Sequence, residues 1–179
     1  MSIRLTVLCE NSVERVSPTG LLGEHGFACH LQTEQGSYLF DTGGGQTILA
    51  NSDKLQIDLQ QLQGVIFSHG HLDHTGGLQQ VLSRTQRVPV YAHPDIFQTR
   101  HSNNGNQLRA IGIPWHKEQL EELGADFQLS IEPQQIAPGI TLSGEIPRLN
   151  KFETGDPNLV TETEGGNIVT DALADDLSL

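Results

Sequence analysis

The stretch Ser68 to Leu78 reads SHGHLDHTGGL, and it places three of the chain's eight histidines and an aspartate within six residues. The run before it, GVIFSH (Gly64 to His69), is apolar and bounded by glycine, as a buried strand is. The run after it, TGGLQQVLSR (Thr75 to Arg84), carries Leu78, Val81 and Leu82 at helical spacing, and VPVYAH (Val88 to His93) is a further strand. Strand, loop, helix, strand is a βαβ rhythm, so the histidines sit where a strand of an α/β sheet ends.

A solvated polar loop explains this concentration poorly. In an extended segment, residues two apart project to the same side, so His69 and His71 can offer imidazole nitrogens to one ion about 2.0–2.1 Å away. Asp73 and His74 then face a second position. Imidazole beside carboxylate suits a borderline divalent cation, with zinc first and manganese or ferrous iron as alternatives, one or two ions in all. Gly70 would allow a tight turn between ligands, and Gly76 and Gly77 a close approach of neighbouring backbone.

The rest of the chain supplies the frame. IRLTVL (Ile3 to Leu8) alternates as a strand, and FACHLQT and SYLFDTG form a hairpin joined by EQG. QTILANSDKL is a short helix, and DLQQLQ a helical turn opened by Asp58. Residues 99–115, with SNNGN and GIP inside, are expected to be a long loop. KEQLEELG (Lys117 to Gly124) is a helix closed by glycine, followed by strands at DFQLS and GITLSGEI. Past TETE, taken as solvated surface, the tail contains a Gly-Gly turn.

The chain has 179 residues and a net charge of -12, which suits one domain (1–179) and argues against a nucleic-acid surface. Cys9 and Cys29 lie in apolar runs without metal or redox spacing, so both are expected as buried free thiols. No segment has membrane-spanning length or the form of a signal peptide, and a soluble cytoplasmic setting is the expectation.

SHGHLDHTGGL resembles the HxHxDH signature of the metallo-β-lactamase superfamily, and YLFDTG upstream resembles its other early motif, a strand ending in a buried aspartate. EHGFACHL, LSGEIPR and DDLSL are similar to the branch that includes the archaeal dihydropterin-ribofuranosylaminobenzene phosphate synthase. The resemblance covers the whole chain. It implies an αββα sandwich and a metal-dependent hydrolase, in which a hydroxide held by metal attacks an ester, amide, thioester or phosphoester of a small-molecule substrate. The synthase branch implies, as the alternative, transfer of a pterin-methyl group. Carried over by residue, the resemblance makes His69 and His71 ligands of one metal and Asp73 and His74 ligands of a second, with Asp73 also the catalytic carboxylate. Asp41 becomes the aspartate that supports the histidine loop; an ordinary turn aspartate is the competing reading. Glu24 and His25 match a pattern at the rim, where they would touch substrate.

The family completes its site with a histidine in a GCSH-like strand end beyond the segment that resembles DDLSL. The expectation is therefore half to three quarters of the sandwich, weak metal binding, and self-association or a complementary chain. A non-catalytic or split half-domain is the reading from a different class. His93 and His116 are the candidates to replace a ligand, although a strand-end cap and a helix cap explain them more simply.

Overall fold

The computed structural model describes residues 2–13, 20–105, 107–150, 152, 155–163 and 165–179. The main sheet begins with β1 (Arg4–Cys9), β2 (Ala28–Gln32) and β3 (Ser37–Phe40), paired antiparallel with Thr6 opposite His30 and Cys29 opposite Phe40. Helix α1 (Ile48–Lys54) follows, then a 3-10 turn at Leu59–Gln61 whose opening residue, Asp58, accepts the Gln60 N–H at 3.0 Å. Strand β4 (Leu62–Ile66) runs parallel to β3, so the sheet changes from antiparallel to parallel here. Two short helices, α2 (Leu72–Thr75) and α3 (Leu78–Leu82), lead to β5 (Val88–Ala92), parallel to β4.

Beyond β5 the chain forms β6 (Arg100–Asn103) and β7 (Leu108–Ala110), then α4 (Lys117–Glu122) and β8 (Ala125–Leu129). Strand β8 closes the six-stranded sheet, whose order is β1-β2-β3-β4-β5-β8. A hairpin of β9 (Gln134–Ala137) and β10 (Ile140–Leu142) comes next, then β11 (Leu159–Glu162) and β12 (Ile168–Thr170). These last two join β6 and β7 in a second sheet of order β12-β11-β6-β7.

Alternation along the strands sends side chains to two cores. Leu8, Leu39, Val65, Phe67, Val88 and Val90 face the helices, where Ile48, Leu78, Val81, Leu82 and Leu120 meet them. The helical spacing of Leu78, Val81 and Leu82 is borne out by their burial. On the other face Leu31, Tyr38 and Ile66 pack beneath Ile140 and Leu142 of the β9–β10 hairpin. Among the described residues, no helix is long and apolar enough to cross a membrane.

Three local expectations are corrected. Gly64 lies inside β4 and does not bound it; the rings of Tyr91 and Tyr38 occupy the space a Cβ there would need. The histidine stretch is extended only as far as His71, after which Asp73 and His74 ride on a helical turn. Residues 99–115 are largely a β-hairpin, stabilised by pairing of Val160 with His101 and Thr161 with Arg100. The pairing partner lies far along the chain, which is why local composition read as loop. TETE contributes Thr161 and Glu162 to β11.

Gly76 and Gly77 are required where α2 passes the turn after β3. A Cβ on Gly76 would stand 2.6 Å from the Gly44 carbonyl oxygen, and one on Gly77 would overlap the carbonyl oxygen of Thr42. Both neighbours are backbone and cannot rotate away. Gly77→Ala should therefore cost about 1–3 kcal/mol, the range for forcing a methyl into a packed site. Urea unfolding checks it, and a midpoint equal to wild type would refute this close approach.

Candidate metal centre

The position of the histidine loop follows from strand register. Phe40 and Ile66 are partners at the carboxyl ends of parallel β3 and β4, so Asp41 and Ser68 emerge close together. Asp41 is fully buried and adopts a left-handed conformation, φ 58°. Its Oδ1 accepts the Ser68 N–H at 2.8 Å, and its Oδ2 accepts the Ser68 hydroxyl at 2.7 Å and faces His74 Nδ1 at 2.8 Å. These contacts span three elements, which an ordinary turn aspartate does not do.

Burial pushes the Asp41 carboxyl up, with the His74 and Ser68 contacts working the other way. Burial alone would push His74 down, but the hydrogen bond and charge of Asp41, with Asp73 and Asp176 nearby, leave its pKa raised. Both directions favour a proton between Asp41 Oδ2 and His74 Nδ1. The other ring nitrogen, Nε2, stands 3.7 Å from Asp73 Oδ2.

His69 turns Nδ1 to Ser68 Oγ at 2.9 Å and Nε2 to His71 Nδ1 at 3.1 Å. Its ring centroid is 4.2 Å from that of His74 and 4.7 Å from that of His71. Burial, reinforced by His74, His71 and Arg100, lowers the His69 pKa to about 2, so the imidazole is neutral. Two imidazole nitrogens on one tetrahedral ion, each about 2.0–2.1 Å from it, lie about 3.3 Å apart. The 3.1 Å between His69 Nε2 and His71 Nδ1 is close to that separation, and neutral imidazole is the ligating form. The donors thus fit a divalent cation as a facing pair. Among the described residues no group of three or more His, Cys, Asp or Glu has an arrangement that could hold an ion.

Asp73 Oδ2 lies 3.3 Å from His25 Nε2, and both residues line a cleft of about 490 Å³ with Glu24, His71, Ser102 and Arg109. His25 is exposed. Glu24 has structural work as well: its carboxylate accepts the Gln46 and Thr47 N–H groups at 2.9 and 3.2 Å and the Thr47 hydroxyl at 2.8 Å. It therefore ties the turn after β3 into the cleft wall.

Two other histidines cap helical turns. His93 accepts the Asp95 N–H at 3.1 Å and lies 3.6 Å from Glu145, and His116 caps α4. His30 is buried in β2, and His101 belongs to β6. Sequence reasoning missed Arg100, Asp171 and Asp175. Arg100, 1% exposed, donates from Nε to Asp171 at 2.8 Å and pairs through Nη2 with Asp175 at 2.8 Å, while Asp175 accepts the Gly70 N–H at 2.7 Å. Burial would raise the Asp171 pKa, but His71, the Leu173 N–H and Arg100 bring it down to about 2. The one signal was DDLSL, noted for its resemblance but given no contact; a lone arginine in a polar stretch carries no mark of burial.

Residues 26–170 match the family profile of the metallo-beta-lactamase superfamily. The chain is 30% identical over 187 residues to the 7,8-dihydropterin-6-methyl-4-(beta-D-ribofuranosyl)-aminobenzene-5'-phosphate synthase of Methanocaldococcus jannaschii, with 99% of this chain and 63% of that protein covered. It is 28% identical over 129 residues to a hydroxyacylglutathione hydrolase of Hahella chejuensis, covering 70% of this chain and 44% of that one. Among solved structures it is similar to Tm1679, described as a metal-dependent hydrolase of the beta-lactamase superfamily, with a TM-score of 0.75 and 26% identity over 98% of this chain and 60% of the other. The chain thus spans less than two thirds of the length of these relatives.

The depressed His69 pKa makes a signed prediction for the metal-free protein. Below the ordinary value of 6.5 the unfolded histidine takes a proton that folded His69 refuses until about 2. The unfolded state then binds more protons, so stability falls as pH drops through that window. His69→Gln should flatten this acid-side slope by up to one proton. Urea midpoints at about pH 7, 6 and 5 test this, and a slope identical to wild type would refute it.

Proposed function

The chain belongs to the metallo-β-lactamase superfamily, and we propose that it contributes a divalent-metal site for hydrolysis of a small-molecule ester or phosphoester. The facing imidazoles of His69 and His71 carry this reading. The superfamily generally uses divalent metals. In this reading His69 Nε2 and His71 Nδ1 hold one ion, and Asp73 with His74 Nε2 serves a second. The nitrogen-rich donor set suits zinc first, with manganese or iron as alternatives. A divalent ion there supplies Lewis acidity toward a carbonyl or phosphoryl oxygen and brings the pKa of water toward about 7.

The protein groups have distinct tasks in this reading. Asp41 keeps the His74 proton on Nδ1, which leaves Nε2 directed toward Asp73. Asp73 offers a carboxylate at the cleft surface, able to accept a proton there, and His25 stands over it at the rim. The cleft, about 490 Å³, has the size of a small-molecule site. A second reading, transfer of a pterin-methyl group, is favoured by the 30% identity with the archaeal synthase along 99% of this chain.

Elemental analysis of purified protein tests the metal assignment. The His69→Ala/His71→Ala double variant should lose its bound metal with far-ultraviolet circular dichroism unchanged, and full retention of metal would sink the proposal. Asp41→Ala should weaken metal binding about 10- to 100-fold, as loss of a partner behind a ligand does. Turnover of simple phosphodiester and ester substrates, set against a reduced pterin substrate, separates the two chemistries.

A further inference from the structure

His71 is 8% exposed, and its Nε2 is fully buried without a hydrogen-bond partner. The carboxylate facing that nitrogen is Asp171, whose Oδ2 stands 3.8 Å away. That oxygen is held at 2.8 Å by Arg100 Nε, and the other, Oδ1, accepts the Leu173 N–H at 2.9 Å. Arg100 in turn pairs with Asp175, which accepts the Gly70 N–H between His69 and His71. A Cβ on Gly70 would overlap Arg100 Nη1 and the Ile96 carbonyl oxygen. Close approach to this network, not a tight turn, is what demands glycine there.

A neutral imidazole carries one N–H. If His71 gives the Nδ1 lone pair to a cation, its proton must sit on Nε2, which is buried away from the surface. A buried N–H needs an acceptor, and a metal-ligating histidine commonly gives its second nitrogen to a carboxylate. Without a cation, the proton can instead sit on Nδ1 and bridge the 3.1 Å to His69 Nε2. The two tautomers therefore correspond to the empty and loaded arrangements.

We infer that Asp171 is a positioning residue for His71, accepting the Nε2–H and so selecting the tautomer whose Nδ1 lone pair faces the cleft. Arg100 clamps that carboxylate, and Asp175 clamps the Gly70 amide to the same guanidinium. The proposal requires the 3.8 Å between Nε2 and Oδ2 to shorten to hydrogen-bond length once Nδ1 is engaged. This rests on His69 and His71 being the cation ligands.

The test uses the full chain titrated with zinc, alongside Asp171→Asn, Asp175→Asn and His71→Ala. Asp171→Asn should weaken zinc binding about 10- to 100-fold. Asp175→Asn leaves the Asp171–His71 pair in place and should lower thermal stability with a much smaller change in affinity. In zinc-loaded wild type, nitrogen-15 NMR of the His71 ring should show protonated Nε2 and metal-bound Nδ1, a readout that needs no variant to fold. Protonated Nδ1, or wild-type affinity in Asp171→Asn while His71→Ala loses zinc, would overturn this inference alone. Equal losses in the Asp171 and Asp175 variants would reduce Asp171 to structural support and overturn it too. A wild-type chain that takes no zinc would overturn the ligand reading and this inference together.

Discussion

The hydrogen bonds converging on Asp41 are the constraint on which the site depends. Water is excluded from this carboxylate, and it survives burial because a backbone amide, a hydroxyl and an imidazole all point at it. Its left-handed backbone is a conformation non-glycine residues rarely hold, and such strain persists where the surroundings over-determine it. One side chain thereby ties the end of β3, the end of β4 and helix α2 into a single unit. The parallel register between β3 and β4 brings these ends together, so sheet topology fixes the site before any ligand arrives.

Much of this arrangement is legible in local sequence. Alternation in β1 and the β2–β3 hairpin, the buried strand before Ser68, and the spacing of Leu78, Val81 and Leu82 all concern neighbours within one element, and local pattern reports those well. The concentration of histidines is legible because liganding chemistry is written in residue type. The second sheet is not: β6, β7, β11 and β12 are three or four residues long, β6 is wholly polar, and the sheet forms only because β6 pairs with β11 across a long stretch of chain. Arg100 is illegible for the same reason, since its burial depends on carboxylates that arrive after β12. Glu24 shows the intermediate case: it lines the cleft, yet it also holds the turn after β3 in ways no spacing reveals.

The charge distribution also favours a cation at this place. The chain is acidic overall, and Asp41, Asp73, Asp171, Asp175 and Asp176 act on or beside the histidine loop. Arg100, inside, neutralises part of that charge by pairing with two of these carboxylates. Negative potential focused at the mouth of a cleft raises the local concentration of cations, and carboxylates behind neutral imidazoles strengthen them as donors. In the proposed reading, the acids that would attract a cation also stand behind the imidazoles that would hold it.

The thiol of Cys9 lies beneath the turn that Glu24 holds, and burial pushes its pKa up to about 11, with Glu24 adding to the effect. At neutral pH almost none of it is thiolate, the form that reacts with oxidants and captures soft ions. Cys29, also buried, is shifted in the same direction. The fold therefore keeps both buried thiols in the protonated, less nucleophilic form. Oxidation by peroxide, which proceeds through the thiolate, is correspondingly slow at Cys9.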